Sequence, residues 1–217
     1  MYRTVFLINS FLLAILVISG CTENKASVIL PFYNTADFSP IFIAATNNSI
    51  QKIDHTIDDF SFTDQDGRQI TQKDIEGKIH IADFIFTSCG SICPVMTKHL
   101  KLVQEDFKND TNVVLLSYSV TPWIDSAARL KQFATNNEIT SVNWHLLTGN
   151  KGEIYKLARQ SYFAEEDLGF SKDSTEFLHT EHILLIDKTK RIRGIYNGTL
   201  QLEMEQLIKD IKVLLNE

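Results

Sequence analysis

The stretch KIHIADFIFTSCGSICPVMTKHL, residues 78–100, predicts a buried strand followed by a helix, with two cysteines at the junction. Its first ten residues are mostly apolar, which is typical of a strand covered on both faces. The helix is indicated by apolar residues at helical spacing, Met96, Leu100, Val103 and Phe107. In open α/β sheets ligands collect at the edge where a strand gives way to a helix. A thiol near a helix N-terminus also tends towards the thiolate, and Pro94 suits a first helical turn.

The rest of the chain repeats this alternation of strands and helices. From His55 the pattern predicts a short hairpin, then strands over residues 78–87, 112–120 and 142–148, each followed by a helix. The second and third of these helices are predicted over residues 125–136 and 150–160. Residues 161–178 are polar and acidic and predict a long loop. A closing hairpin and a last amphipathic helix follow, and TQKD at residues 71–74 resembles a capping box. This order predicts an α/β fold with one central sheet flanked by helices.

The chain has 217 residues, of which 44% are hydrophobic, and a formal net charge of −6. Its length suits one well-packed domain with an additional segment. The negative charge argues against a nucleic-acid partner, because proteins that bind nucleic acids usually present a basic face.

The first twenty-one residues, MYRTVFLINSFLLAILVISGC, predict a signal segment. Arg3 precedes an apolar run that is shorter than a membrane span, and ISGC resembles the lipobox of bacterial lipoproteins. The resemblance implies that Cys21 is lipidated; an ordinary signal peptide or an uncleaved anchor is the alternative. We therefore expect a signal peptide over residues 1–20, a lipid-anchored tether over 21–54, whose apolar stretch docks on the domain, and a domain over 55–217. The protein would face outside the cytoplasm, in the periplasm, where disulfides persist.

Cys89 and Cys93 then remain as the pair available for chemistry. Thioredoxin-type redox enzymes have two residues between their cysteines, whereas three stand here. Peroxiredoxins place Thr three residues before the reactive Cys, and that position is Phe86. Two thiolates could bind a soft metal such as Cu(I), but a defined site needs a third ligand. A plain stabilising disulfide is the fourth possibility, although so short a loop gains little from closure.

Three segments together resemble the SCO/SenC family of copper chaperones for cytochrome c oxidase assembly. DFIFTSCGSICPVMT is similar to the family's copper-site segment, SYSVTPWIDSAARL to the next strand and its loop, and LHTEHILLIDKTKRIRGIYNG to the segment with the third ligand. The resemblance runs from about His55 to the C-terminus. It implies a thioredoxin-like fold with a mixed sheet, copper, Cu(I) or Cu(II), held by Cys89, Cys93 and His179, and a reversible Cys89–Cys93 disulfide.

The chain departs from the family pattern at two positions. Gly90 stands where many members have Pro after the first cysteine, which frees the loop. Thr121 stands where an Asp often precedes Pro, which puts a partner-contact role of that acidic residue in doubt. Asp125 is a candidate for a role behind the metal ligands or towards a partner, and an ordinary helix N-cap is equally compatible with its position.

Six histidines compete for the third position: His55, His80, His99, His145, His179 and His182. His99 lies six residues beyond Cys93 on the helix and should point away from it. His182 is the main rival of His179. The two are three residues apart, so on an extended strand they face opposite sides, and the family register selects His179.

The resemblance thus implies a copper-binding chaperone that delivers copper to, or prepares, the copper site of cytochrome c oxidase. Its partners would be the oxidase's copper-site subunit or another copper carrier, with the membrane reached through the lipid anchor. The runner-up is an extracytoplasmic thiol–disulfide oxidoreductase in which Cys89 and Cys93 cycle, and a third possibility is a redox or copper sensor without delivery. The resemblance favours the metallochaperone over an enzyme.

Overall fold

The computed structural model describes residues 29–43, 53–164 and 180–217. Seven strands form one sheet in the order β2-β1-β9-β8-β5-β6-β7, and β3 and β4 form a separate hairpin. The strands are β1 (Phe32–Tyr33), β2 (Pro40–Ile41), β3 (Ser61–Thr63), β4 (Gln69–Thr71), β5 (Ile79–Ile85), β6 (Val113–Ser119), β7 (Trp144–Leu147), β8 (His182–Ile186) and β9 (Ile192–Asn197). The helices are α1 (Gln72–Ile75), α2 (Ile92–Phe107), α3 (Ala127–Asn136), α4 (Lys151–Lys156) and α5 (Gln201–Leu215).

The central sheet is mixed. β5, β6 and β7 run parallel, while β8, β9 and the two N-terminal strands pair antiparallel. All residues of β5 and β6 are buried, in agreement with their near-continuous apolar sequences. The structure therefore confirms the predicted α/β fold with a central mixed sheet flanked by helices.

Alternate residues of the buried strands belong to two separate cores, one on each face of the sheet. On one face Ile81 and Ile85 pack with α2, α3 and α5. On the other face Ala82 and Phe84 pack with the β3–β4 hairpin, α1, α4 and the turn after it. This period of two follows from strand geometry, and it fixes which side of the sheet each later side chain can reach.

The predicted helix over residues 150–160 differs from the observed structure. α4 is followed directly by a π-helical turn, Leu157–Ser161. Contacts with the chain near residue 55 accompany this wider turn: the carbonyl of Ser161 lies 2.8 Å from His55 Nε2, and its hydroxyl accepts from the Asp58 N–H at 3.3 Å. π-helical turns are rare single turns within or beside α-helices, and local periodicity does not reveal them.

The apolar stretch of the predicted tether packs on the domain, as expected. Residues 32–41 form the β1–β2 hairpin, and Tyr33 pairs with Ile192 of β9 at the edge of the sheet. The sequence expectation gave no position for this contact. The expected boundary between tether and domain stays a prediction.

Arg193 fastens this N-terminal segment to the end of the chain. Its guanidinium is 4% exposed and donates to the carbonyls of Leu30 and Pro31, and to the carboxylates of Asp187 and Glu217. It also lies 4.0 Å from the ring centre of Phe32. Arginine is suited to this role because its planar fork of donors can serve several acceptors at once.

No helix in the described part of the chain is long and apolar enough to cross a membrane. The predicted signal peptide and Cys21 lie outside the described residues.

Replacing Arg193 with Met should destabilise the protein by about 3 kcal/mol, because a buried carboxylate and two carbonyls lose their donors. The N-terminal hairpin should then be cut faster by proteases than in the original protein. Denaturant unfolding and limited proteolysis measure both effects. The control is Lys212→Met, which removes an exposed ion pair with Asp106 and should change stability by less than about 1 kcal/mol. Equal losses of stability in the two variants would contradict the stabilising role of Arg193.

Candidate metal and thiol site

The two predicted cysteines lie together at the head of α2. Cys89 is in the turn after β5, where its N–H donates to the carbonyl of Phe86 at 3.1 Å. Cys93 is the second residue of α2, and Pro94 follows in the first helical turn, as predicted. Both cysteines are free thiols in the structure; Cys89 is partly exposed, while Cys93 is buried at 3% exposure.

The two thiols differ in acidity. Burial would raise the pKa of Cys89, but hydrogen bonds from the backbone N–H groups of Cys93, Ser91 and Ile92, and from the Cys93 thiol, outweigh it and lower that pKa. These donors belong to the start of α2, where N–H groups have no partner within the helix. Burial raises the pKa of Cys93 to about 12, and the hydrogen bond to Cys89 adds to the rise. Cys89 is thus the more acidic and the more accessible of the two thiols.

Asp83 is a buried acid on the α2 side of β5 that the sequence analysis did not single out. It is 2% exposed, and burial raises the pKa of its carboxyl group to about 7. The Ser117 hydroxyl donates to it at 2.5 Å and accepts from Trp144 Nε1 at 2.9 Å. Its negative charge contributes to the high pKa of Cys93. An acidic residue within the apolar run IHIADFI was the signal that could have revealed it.

The buried carboxylate of Asp125 anchors the loop before Cys89 through hydrogen bonds. The carboxylate is fully buried and accepts from the N–H and hydroxyl of Thr87, at 3.2 and 2.5 Å. The hydroxyls of Ser119 and Thr121 donate to it at 2.7 and 2.9 Å. The N-cap of α3 is Ser126, so the cap interpretation of Asp125 is wrong: the capping side chain is the next residue. Its buried carboxylate also offers no surface for a partner.

Four of the five histidines in the described residues contact groups away from the thiols. His99 Nδ1 lies 2.9 Å from the carbonyl of Gly198, so its ring does point away from Cys93. His80 is buried beside the Tyr162 hydroxyl, and burial lowers its pKa to about 3. His145 contacts the Asp64 carboxylate, and His55 contacts the Ser161 carbonyl.

His182 is the first residue of β8. Its ring meets the ring of Phe38 edge to face with centroids 6.0 Å apart, and its buried Nδ1 has no hydrogen-bond partner among the described residues. Two residues on, Leu184 belongs to the core opposite α2, whereas Ile183 belongs to the core on the α2 side. His182 therefore faces away from the helix that carries Cys93.

His179 lies outside the described residues. Within the described part, Cys89 and Cys93 are not joined by a third histidine, cysteine or acidic residue that could complete a metal site. The pair supplies two soft donors, which fit Cu(I) and need one further ligand for a defined site. The structure thus brings together the two predicted sulfur ligands, and the third stays a prediction.

The difference between the thiols predicts selective alkylation. At pH 7.5 iodoacetamide should modify Cys89 at least about 100-fold faster than Cys93, because the thiolate is the reactive form and Cys93 is both buried and protonated. Raising the pH should accelerate the Cys89 reaction only until that thiol is ionised. Mass spectrometry of Cys93→Ser and Cys89→Ser, each with one thiol of the pair, measures the rates separately. Similar rates would contradict the assignment.

Comparison with known proteins shows the family of this chain. Residues 48–216 match the SCO1/SenC family model. A SCO1/SenC family lipoprotein from Bacillus anthracis is 30% identical, with a TM-score of 0.65 over 76% of this chain and 98% of that one. BsSco, described as a member of the Sco family of cytochrome c oxidase assembly proteins with a disulfide switch, is 29% identical, with a TM-score of 0.63 over 76% and 95%.

A third structure, Bradyrhizobium japonicum ScoI with copper bound, is 26% identical, with a TM-score of 0.58 over 74% of this chain and 99% of that one. The family match spans most of the chain, including both cysteines and the loop that ends at Asp125. From its sequence and its thioredoxin-like fold, the chain belongs to the SCO1/SenC family.

Proposed function

We propose that the chain binds copper as its cargo through Cys89, Cys93 and His179, and that it delivers copper to, or prepares, the copper site of cytochrome c oxidase. The carrying observation is the pair of free, hydrogen-bonded thiols at the head of α2. The copper-bound relative and the relative named for oxidase assembly support this function.

The thiols suit a cargo that is bound and later released. Thiolates are the metal ligands, so copper binding must remove the proton of Cys93, whose pKa burial raises to about 12. Binding should therefore release protons and weaken as the pH falls. The oxidised pair has no thiolate to offer, so copper binding should require the reduced protein.

The register of β8 supports His179 over His182 as the third ligand. Ile183 faces the helix that carries Cys93, whereas His182 packs against Phe38 on the other side of the sheet. An offset of three along an extended strand changes the face, so we propose His179, three residues before His182, as the third ligand.

A second candidate, thiol–disulfide exchange, is favoured by the unequal acidity of the two thiols. The Cys89 thiolate would attack a partner disulfide and release one partner thiolate. Cys93 would then lose its proton and attack Cys89, releasing the second partner thiol and leaving the Cys89–Cys93 disulfide. In this reaction Cys93→Ser should trap a mixed disulfide, without copper, with an oxidised peptide in which the oxidase copper-site cysteines form a disulfide. No trapped species would count against exchange and leave copper binding as the function.

Partner contact would use the exposed side chains beside the thiol loop. Trp123 and Ile124, in the loop that ends at Asp125, are 59% and 42% exposed, and Val95 of α2 is 40% exposed. An apolar surface next to a metal or thiol site suits docking of a protein partner. The oxidase's copper-site subunit, or another copper carrier, is the partner that we propose.

The protein would act outside the cytoplasm, anchored to a membrane by lipid on Cys21. The related lipoprotein from Bacillus anthracis and the ISGC sequence support this location. The oxidising compartment would allow the Cys89–Cys93 disulfide to persist until it is reduced.

Removal of the His179 imidazole should affect the binding of Cu(I) and the binding of Cu(II) to different extents. His179→Ala should weaken Cu(II) binding far more than Cu(I) binding, because two thiolates still suit Cu(I), whereas Cu(II) prefers additional nitrogen or oxygen donors. His182→Ala should leave both affinities unchanged. Titration of each reduced variant, followed by thiolate-to-copper absorption, measures the effect, with thermal melting as the folding control. Loss of the copper signal in folded His182→Ala, with His179→Ala unaffected, would overturn the assignment.

Replacement of the lipidated residue should release the protein from the membrane. Cys21→Ser removes the acceptor thiol, so the variant should remain unprocessed or appear in the soluble fraction. Cell fractionation with mass spectrometry of the N-terminus measures both. Membrane retention of a correctly cleaved Cys21→Ser protein would contradict the lipid anchor.

A further inference from the structure

Arg129 contacts the loop before Cys89 from the surface of α3. Its Nε donates to the Thr87 hydroxyl at 2.6 Å, and its Nη2 donates to the Ser88 hydroxyl at 2.8 Å. The same Nε lies 3.5 Å from the Asp125 carboxylate. The fork thus connects two consecutive loop residues, directly before the first cysteine, to a helix of the domain.

The contacts of Arg129 and Asp125 form one polarised chain. The Thr87 hydroxyl accepts from the arginine and donates to the carboxylate at 2.5 Å, so a positive and a negative group hold it from opposite sides. Charge-assisted hydrogen bonds of this kind are stronger than neutral ones, and a forked guanidinium adds directional control. Arg129 is 44% exposed on its side chain, whereas Asp125 is buried, so the arginine is the member that can be replaced without opening the core.

Gly90, the residue after Cys89, has no side chain that could stiffen the loop. A Cβ added there would meet no atom within 4 Å. Glycine leaves the backbone more freedom than any other residue, so the loop gains no stiffness from this position. The donors at the start of α2 hold the Cys89 sulfur, whereas the backbone directly before Cys89 is held by Arg129 and Asp125.

We propose that Arg129 is a positioning residue of the site: its fork on Thr87 and Ser88 fixes Cys89 beside Cys93 and compensates for the freedom of Gly90. This rests on the copper and thiol site proposed above and deepens it. Arg129 touches neither thiol, and it acts through the loop. Residues that orient metal ligands typically change metal affinity by about 10- to 100-fold when they are replaced.

The test compares Arg129→Met with Lys131→Met in the full-length protein in detergent. Lys131 lies on the same helix and pairs with Asp66 at 2.5 Å, away from the cysteine loop, so it is a matched loss of one exposed positive charge. Arg129→Met should weaken Cu(I) binding to the reduced protein by about tenfold, and Lys131→Met should leave it unchanged. Equal affinities in the original protein and Arg129→Met, or equal losses in both variants, would overturn the proposal.

Two further variants separate positioning from a general loss of structure. Arg129→Lys keeps the charge but has one terminal nitrogen, so it should recover only part of the affinity. Gly90→Ala should restore roughly two- to fivefold in the Arg129→Met background, because it removes backbone freedom from the loop, and should have less effect alone. Independent, additive effects of Gly90→Ala and Arg129→Met would contradict compensation.

Hydrogen exchange of residues 86–92 gives a readout without copper. Arg129→Met should accelerate exchange in this loop by more than any change in global unfolding accounts for, while Lys131→Met should leave exchange in the loop unchanged. If the original protein fails to bind Cu(I), the proposed function fails, and the exchange experiment still tests whether Arg129 orders the loop. Unchanged exchange of the loop in Arg129→Met would show that Arg129 does not order the loop, even if the protein binds copper.

Discussion

The carboxylate of Asp125 ties together the ends of two neighbouring parallel strands, and the thiol loop depends on that tie. It accepts from the hydroxyls of Ser119 and Thr121, at the end of β6, and from both donors of Thr87, beyond the end of β5. A buried carboxylate is costly unless hydrogen bonds surround it, and here four donors and Arg129 do so. The loop that begins at Thr87 is therefore bound at its base, which presents Cys89 towards the first turn of α2.

The same geometry gives the two sulfurs different properties. Cys89 is partly exposed and receives N–H groups from the start of α2, whereas Cys93 is buried near the charge of Asp83. Cys89 is thus the thiol that ionises more readily, and Cys93 the one that holds its proton. For the proposed functions this asymmetry would suit both delivery of copper and exchange with a disulfide, because each would begin at the more acidic, accessible thiol.

The sequence was sufficient wherever the signal is local. The buried strand before the cysteines, the helix after them and the capping pair of Thr71 and Asp74 follow from spacing alone, and the structure contains them. Contacts between distant residues could not be predicted in this way. Thr87 and Asp125 are 38 residues apart, and Asp83 and Ser117 are 34 apart, so their pairing depends on the alignment of β5 and β6. The π-helical turn after α4 could not be predicted for the same reason, because its contacts are with residues about 100 positions earlier in the chain.

X-ray absorption at the copper K-edge of the reduced full-length protein loaded with Cu(I) would identify the atoms bound to copper. The spectrum should show scattering from two sulfur atoms and one nitrogen atom. The sulfur contribution should fall to one atom in Cys89→Ser and in Cys93→Ser, and the nitrogen contribution should be lost in His179→Ala. A copper shell without sulfur, or one that neither cysteine replacement changes, would contradict the assignment of Cys89 and Cys93 as the copper ligands.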